Sequence, residues 1–172
     1  MGQRLAPFAI AAAVFLLDRA SKWIIKTHLS LWDTLTLIPG SINIVHTENP
    51  GIAFGLLANS PSAWRDVLLI GFSIAVLAGI STILVRANRS VHSHFLRTGL
   101  ALVMGGALGN LYDRTLNGTV TDFFEVHAGQ SYFFPAFNVA DSAITTGACL
   151  LLLDMWRSRE RKSEPAGVPP TL

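Results

Sequence analysis

The uncharged run from Val67 to Val85 constrains the fold more than any other feature of the sequence. A helix needs about 20 mostly apolar residues to cross a bilayer core of about 30 Å, and this run meets that requirement. The whole chain shares the bias, with 51% hydrophobic and 14% charged residues, whereas soluble domains carry about 25% charged residues. We therefore predict an integral membrane protein.

Three further segments come close to the length of a membrane span. The first ends in a charged turn, the third is rich in glycine, and the fourth carries polar residues near its start. We predict an all-α membrane protein, a four-transmembrane-helix bundle forming one domain over residues 1–162, with a disordered, Pro-rich tail over residues 163–172. The four helices are predicted at about Leu5–Ile25, Val67–Val85, Thr98–Tyr112 and Pro135–Trp156.

The first segment has a rival interpretation as a cleavable signal peptide. Arg4 precedes an apolar stretch from Leu5 to Leu17, which is typical of such peptides. However, no small-x-small cleavage site follows, and the residues from Asp18 to Lys22 lead in good helix formers to Trp23. We therefore favour an uncleaved helix.

The distribution of lysine and arginine predicts the orientation of the bundle, because cytoplasmic loops carry an excess of basic residues. With both termini in the cytoplasm, eight of the 13 basic residues fall on that side and five on the outer side. The cytoplasmic set is Arg4, Arg86, Arg89, Arg97, Arg157, Arg159, Arg161 and Lys162, and the outer set is Arg19, Lys22, Lys26, Arg65 and Arg114. We therefore predict that both termini are cytoplasmic.

Two connections on the outer side, residues 26–65 and 113–134, are long enough to hold structure of their own. Runs of β-branched and aromatic residues bounded by turn residues such as Pro39-Gly40 indicate short strands. These runs are Thr34–Ile38, Ile42–Val45, Thr119–Thr121 and Tyr132–Phe134. We predict a small β-sheet on the outer membrane surface.

Composition and motifs exclude several functions. The net charge of +2, from 13 basic and 11 acidic residues, is too balanced for a nucleic-acid binder. The single cysteine, Cys149, excludes an intrachain disulfide and a cysteine-based zinc cluster. The sequence contains no H-E-x-x-H motif of a zinc peptidase. Ser21 and Lys22 are adjacent on a helix and do not face each other, which argues against a Ser–Lys pair.

Ionisable and amide side chains near hydrocarbon are expensive, so each is a candidate functional residue. In the predicted topology they gather at the outer end of the bundle. Asp18 and Lys22 are four residues apart and share a helix face, so they can pair. An interfacial ion pair without catalytic function explains them equally well. The full set is Asp18, Lys22, Asn110, Asp113, Arg114, Asp122, Asn138 and Asp141.

Asp141 is the hardest of these residues to explain by packing, because it lies at the start of an apolar helix. A carboxylate there must be neutral or have a partner, and Asp122 is the best candidate partner. Two adjacent carboxyl groups share one proton, so one acts as an acid and the other as a base. The residues alone leave open whether the two meet, and a proton-coupled transporter or a non-enzymatic membrane assembly protein are the alternatives.

Five short motifs, in order, resemble those of lipoprotein signal peptidase, also called signal peptidase II, a bacterial family of membrane aspartic peptidases. Each motif is short, but together they extend from about Asp18 to Asp154. They are Asp18-Arg19-Ala20-Ser21-Lys22, Asn49-Pro50-Gly51-Ile52-Ala53-Phe54-Gly55, Gly109-Asn110-Leu111-Tyr112-Asp113-Arg114, Val120-Thr121-Asp122-Phe123 and Phe137-Asn138-Val139-Ala140-Asp141-Ser142-Ala143.

The resemblance implies a catalytic dyad of Asp122 and Asp141 and no metal or organic cofactor. It implies a multi-pass enzyme of the bacterial inner membrane, acting near the outer face on prolipoproteins. The lipobox cysteine of these substrates already carries diacylglycerol, and cleavage falls just before it. It further implies inhibition by globomycin, and we expect a monomer among membrane lipids. The supporting residues that it implies are Asp18, Lys22, Asn49, Gly51, Asn110, Arg114, Asn138 and Ala143.

One departure from the family pattern lies in the second motif. Ile52 stands where the family pattern leads us to expect a small residue after the glycine. A bulkier side chain there is expected to alter how the loop from Asn49 to Gly55 meets substrate or inhibitor. The two glycines of this loop suggest that it rearranges over the site.

Overall fold

A computed structural model describes residues 2–51, 62–86, 93–129 and 132–163. Four helices alternate with four short strands along the chain. The helices are α1 (Gly2–His28), α2 (Ser62–Arg86), α3 (His94–Asn117) and α4 (Val139–Ser163), and the strands are β1 (Thr34–Ile38), β2 (Ile42–Asn49), β3 (Val120–Ala128) and β4 (Tyr132–Phe133). Ile52, most of the Asn49–Gly55 loop and nearly all of the predicted tail lie outside the described residues.

Two helices of the described chain are long and apolar enough to cross a membrane, over Ala63–Arg86 in α2 and Val139–Arg159 in α4. Both present most of their surface outward, with 11% and 17% of the respective spans buried inside the protein. An apolar helix whose side chains face outward is suited to lipid rather than water. The four predicted helices are therefore present, and two of them have the composition of a membrane span.

Helix α3 is the central helix, and glycines allow its neighbours to approach. A Cβ added at Gly105 would lie 2.6 Å from the Ala11 carbonyl oxygen of α1. One added at Gly106 would overlap the Ala140 carbonyl oxygen of α4. Helices in membranes pack through small residues in this way. The close contact with Ala140 places the start of α4 against α3.

The strands form an antiparallel sheet in the order β1-β2-β3-β4. The predicted strand Thr34–Ile38 is confirmed as β1, and Ile42–Val45 as the first half of β2. The predicted run Thr119–Thr121 overlaps the start of β3, and Tyr132–Phe134 overlaps β4. The register between β2 and β3 shifts between Ile44 and Thr47, and a shift of this kind bends a strand and redirects its side chains. Beyond the shift, Thr47 pairs with Asp122.

Each helix is longer than predicted, and two of the boundary differences affect the site. Helix α4 begins at Val139 rather than Pro135, because Phe137 pairs with Phe124 of β3 and keeps the preceding backbone extended. Helix α3 continues beyond Tyr112 to Asn117, and ends at Gly118 in the left-handed conformation with φ of 70°. Asp113 and Arg114 therefore lie within the helix and not in the outer connection.

Candidate active site

The first turn of α4 is organised by Asn138 and Asp141. The Asn138 side-chain oxygen accepts the Asp141 N–H at 2.9 Å, and the Asp141 carboxylate accepts the Asn138 N–H at 3.3 Å. This reciprocal pattern is a capping box, which satisfies backbone donors at the start of a helix. Asn138 is thus the residue before the helix, and its bonds fix the position of the Asp141 carboxylate.

Asp122 reaches the same asparagine from the sheet. It lies on β3 and is 2% exposed, and its Oδ1 accepts from Asn138 Nδ2 at 2.7 Å. Its Oδ2 accepts from Asn49 Nδ2, at the end of β2, at 3.0 Å. Asn138 therefore contacts both carboxylates of the predicted dyad, one with its side chain and the other with its backbone.

The environment of Asp122 favours its protonated form. Burial, followed by the nearby charge of Asp141, raises the pKa of Asp122 from 3.8 to about 7, against the opposing hydrogen bonds from Asn49 and Asn138. A carboxyl group that is buried beside another carboxylate holds its proton to a higher pH than a solvated one does. The pair therefore provides a proton donor and a proton acceptor side by side.

The Asp141 carboxylate has a second donor, from α3. Asn110 Nδ2 donates to Asp141 Oδ1 at 2.8 Å. The amide of Asn110 is oriented by Lys22, whose Nζ donates to Asn110 Oδ1 at 3.1 Å. Because the ammonium group has only donors, it contacts the oxygen of this amide, and the nitrogen faces Asp141.

Lys22 is the centre of a charge cluster between α1, α3 and α4. Its side chain is 0% exposed, and Nζ lies 2.9 Å from Asp18 and 2.8 Å from Asp113. The predicted pair of Asp18 and Lys22 is confirmed. Arg19 binds Asp113 and lies over the ring of Tyr112. Asp18 also accepts the backbone N–H of Ala140 at 3.0 Å, so the cluster holds the first turn of α4.

The remaining predicted residues divide into two groups. Asn49 accepts the Gly51 N–H at 2.9 Å, and Arg114 Nη2 donates to the Gly51 carbonyl at 3.1 Å, so these three residues form one connected edge of the site. The Arg114 Nε is buried without an acceptor among the described residues. Ala143 is buried on α4 but lies two residues after Asp141, a spacing that does not share a helix face.

Two residues that take part in the network were not predicted as site residues, and a third, Asp113, was a candidate whose partner was not predicted. Asp113 is the second carboxylate partner of the buried Lys22, and Arg19 binds it. Thr121 is 0% exposed, and its carbonyl accepts from Asn138 Nδ2 at 3.3 Å. A buried ammonium group requires compensating charge. This requirement was the available indication that Asp113 would pair with Lys22.

Comparison with known proteins adds an independent observation to this geometry. Residues 10–157 match the family model described as signal peptidase (SPase) II. The chain belongs to the signal peptidase II family. The resemblance predicted from the five motifs is thereby confirmed, and membership makes the chain a membrane peptidase.

Two relatives within signal peptidase II show how far the similarity extends. The lipoprotein signal peptidase of Solibacter usitatus (strain Ellin6076) is 43% identical over 158 residues, covering 92% of this chain and 94% of that protein. The lipoprotein signal peptidase of Pseudomonas aeruginosa PAO1 is 43% identical over 157 residues, covering 91% of each. The similarity therefore includes the helices and the sheet that form the site.

Two solved structures share the fold. A bacterial membrane enzyme determined by the in meso method at 2.3 Å has a TM-score of 0.81 and 28% identity, covering 95% of this chain and 94% of its own. A second, at 1.9 Å, has a TM-score of 0.75 and 28% identity, covering 87% and 92%. The arrangement of the helices and the sheet is therefore that of a known membrane enzyme.

Proposed function

We propose that this signal peptidase II cleaves the signal peptide from prolipoproteins whose lipobox cysteine carries diacylglycerol, just before that cysteine. Asp122 and Asp141 form the catalytic dyad of an aspartic endopeptidase. The similarity to lipoprotein signal peptidases supports the substrate class. The observation that carries the mechanism is the contact of both carboxylates with one residue, Asn138.

The chemistry follows from one proton shared by two carboxyl groups. Asp141, ionised, takes a proton from a water molecule, and the resulting hydroxide attacks the scissile carbonyl carbon. Asp122, protonated, donates its proton to the carbonyl oxygen as the tetrahedral intermediate forms. Collapse of this intermediate breaks the C–N bond, and the proton taken up by Asp141 passes to the leaving nitrogen. Asp122 takes back a proton from a hydroxyl group of the intermediate, which restores the starting state of the pair. The pair, rather than either residue, then sets the pH dependence of the rate.

The supporting residues position these two carboxyl groups and the substrate. Asn49, Asn110 and Asn138 each donate an amide hydrogen to a carboxylate oxygen, and such bonds restrict the carboxylates to one geometry. Arg114 holds the Gly51 carbonyl, and its Nε, which has no acceptor among the described residues, is available to a carbonyl oxygen of the substrate. Ala143 keeps the role of a supporting residue that the family pattern implies.

We further infer that all four helices cross the bacterial inner membrane, with both termini in the cytoplasm and the dyad near the outer face. Helix α1 has 27 residues, and a rise of about 1.5 Å per residue makes it longer than the bilayer core. Its charges at Asp18 and Lys22 are fully buried against other helices, which is how ionisable groups are accommodated in membrane proteins. A lipidated cysteine stays at the membrane surface, where this site would meet it.

A proton-coupled transporter would be expected to distribute ionisable groups through the depth of the bilayer. In the described part of the chain, the buried charged residues Asp18, Lys22, Asp113 and Asp122 form one connected region. This clustering favours chemistry at one surface. A non-enzymatic assembly protein predicts that the dyad can be replaced without effect.

The test is cleavage of a diacylglyceryl-modified precursor by the purified full chain. Asp122→Asn and Asp141→Asn are each expected to abolish cleavage, because neither amide can exchange the required proton. Asp66→Asn, a partly exposed carboxylate of α2 paired with Arg65, is the matched control and should retain the wild-type rate. Unmodified precursor should not be cleaved, and globomycin should inhibit. Cleavage retained by either dyad variant would exclude the mechanism.

A further inference from the structure

The carboxylate of Glu48, on β2, collects contacts from three parts of the chain and has no role in the scheme above. Thr119 and Thr121 donate their hydroxyls to it at 2.6 and 3.0 Å. Lys26, in the last turn of α1, lies 3.2 Å away, with side-chain exposures of 34% for Lys26 and 23% for Glu48. Glu48 thus joins α1, β2 and the start of β3 at one point.

The contacts of Glu48 favour its ionised form. Burial by itself would raise the pKa of Glu48, but the hydrogen bonds from Thr119 and Thr121 and the charge of Lys26 lower it below its usual value. His46 Nε2 faces the same carboxylate at 3.5 Å, while His46 Nδ1 is bonded to the Leu29 carbonyl at 2.8 Å. Among the described residues, the charged and titratable groups that face Glu48 are therefore Lys26 and His46.

The position of Glu48 connects it to Asp122 through the backbone. Glu48 pairs with Thr121 across the β2–β3 ladder, and successive side chains of a strand point to opposite faces. The Thr121 hydroxyl therefore reaches Glu48 on one face, while Asp122 faces the other. The Thr121 carbonyl accepts from Asn138, and Asn49, the residue after Glu48, donates to Asp122. A displacement of Glu48 is therefore expected to move both amide donors of Asp122, which are Asn49 and Asn138.

We propose that Glu48 is a positioning residue for Asp122, because its carboxylate fixes the β2–β3 segment from which Asn49 and Asp122 meet. This proposal rests on the proposed role of Asp122 as a reacting carboxyl group. Removing the acceptor leaves the fully buried Thr121 hydroxyl without its partner and loosens the segment. A misplacement of about 1 Å at a reacting group can reduce a rate by about a hundredfold.

The chain offers a matched control on the same ladder. Glu125 Oε2 accepts from Asn43 Nδ2 at 2.9 Å, and these two residues also pair across β2 and β3. Glu125→Ala thus removes a cross-strand carboxylate contact of similar kind, three positions further along the strand than Asp122. The measurement is the pH profile of kcat and KM for cleavage of the diacylglyceryl-modified precursor by the full chain.

Glu48→Ala should lower kcat by about tenfold or more and change KM by less than about threefold, because positioning acts on the chemical step. Its alkaline limb should move to higher pH, since the Asn49 bond that lowers the pKa of Asp122 is weakened. Glu48→Gln retains an acceptor oxygen and should recover most of the rate. Thr119→Val, which removes one hydroxyl and no charge, should give a smaller change in the same direction.

The proposal is overturned if Glu48→Ala keeps the kcat and pH profile of Glu125→Ala, or if Glu48→Gln is as impaired as Glu48→Ala. Asp122→Asn, measured in the same assay, separates this result from the proposed function. Cleavage by Asp122→Asn would exclude the proposed dyad itself. An inactive Asp122→Asn together with an unaffected Glu48→Ala would exclude only the proposed role of Glu48.

Discussion

Lys22 and Glu48 each connect several elements of the protein and each reach one carboxylate of the proposed dyad, but they do so in different surroundings. Lys22 is 0% exposed between three helices and reaches Asp141 through Asn110. Glu48 is 23% exposed near the end of β2 and reaches Asp122 through the β2–β3 ladder. One side of the site is therefore held by buried charge, and the other by a partly exposed carboxylate that accepts two threonine hydroxyls.

The comparison shows why the Lys22 cluster contains more charges. Arg19 and Lys22 face Asp18 and Asp113, so the basic and acidic groups balance. A buried charge is tolerated when it is paired and hydrogen-bonded. Glu48 is partly solvated, and two threonine hydroxyls with one lysine are sufficient for it. Single substitutions are consequently expected to lower the free energy of unfolding strongly on the helical side and weakly on the sheet side.

The largest expected effect is that of Lys22→Met. This change leaves Asp18 and Asp113 buried with less compensation, and removal of one partner from a buried pair costs about 3–5 kcal/mol. Lys26→Met, one helical turn later, removes the exposed partner of Glu48 and should cost about 1 kcal/mol or less. The measurement is thermal unfolding of both purified variants in detergent micelles. Equal loss of stability in the two variants would contradict the distinction.

The second prediction concerns the two carboxyl groups on the sheet side, whose pKa values shift in opposite directions. The pKa of Asp122 is raised from 3.8 to about 7, so the folded state binds more protons than the unfolded chain between these pH values. The free energy of unfolding should therefore fall as pH rises from about 4 to about 7. Asp122→Asn removes this term, and its stability relative to wild type should increase over that range and level off above it.

Glu48 provides the opposite case. Its pKa is lowered from 4.5, so its ionised form stabilises the folded state above that value, and the contribution is lost as pH falls through the lowered pKa. The deficit of Glu48→Gln relative to wild type should therefore shrink in acid. Thermal midpoints measured from pH 3 to pH 8 would test both variants, with Asp66→Asn as control. Parallel pH dependence in Asp122→Asn and Glu48→Gln would refute the assignment of opposite shifts.

The sequence predicts contacts between residues that are close along the chain and does not predict contacts between distant ones. The apolar run of Val67–Val85 predicts α2, and turn residues around Pro39-Gly40 predict the β1–β2 hairpin, because both depend on neighbouring residues. The pair of Asp18 and Lys22 is also local, since four residues separate them. By contrast, Arg19 and Asp113 are 94 positions apart, and no pattern within either segment predicts that contact.

The start of α4 shows a different limit. Asn138 and Asp141 are three residues apart, which is consistent both with two residues of one helix face and with a capping box. The prediction placed both inside a helix from Pro135, whereas Asn138 precedes the helix and caps it. The choice is decided by β3, which pairs with Phe137, and that tertiary contact is invisible in the local sequence.

The third prediction tests how closely the Lys22 cluster is packed. A Cβ at Gly109 would lie 2.5 Å from Asp18 Oδ2, whereas one at Gly79 of α2 would have nothing within 4 Å. Gly79→Ala should leave stability unchanged or raise it by up to about 1 kcal/mol through helix propensity. Gly109→Ala should lower it by about 1–3 kcal/mol and reduce cleavage, because Asp18 also holds Ala140. Thermal unfolding in detergent micelles compares the two variants. A Gly109→Ala protein as stable as Gly79→Ala would show that the Lys22 cluster can shift to accommodate the added methyl group.

The smallest expected effect is the coupling between Lys26 and Glu48. Their side chains are 34% and 23% exposed, and exposed pairs of this kind contribute about 0.2–1 kcal/mol. A double-mutant cycle with Lys26→Met and Glu48→Gln should give a coupling in that range at low salt and almost none at 1 M salt, where the Debye length is about 3 Å. Lys22→Met should remain equally destabilising at both salt concentrations, since no solvent reaches its partners.

If the Lys26 coupling is small while Glu48→Ala still impairs kcat, the threonine hydroxyls rather than the ion pair position Asp122. A coupling that is large and independent of salt would mean that the sheet side, like the helical side, is held by charge.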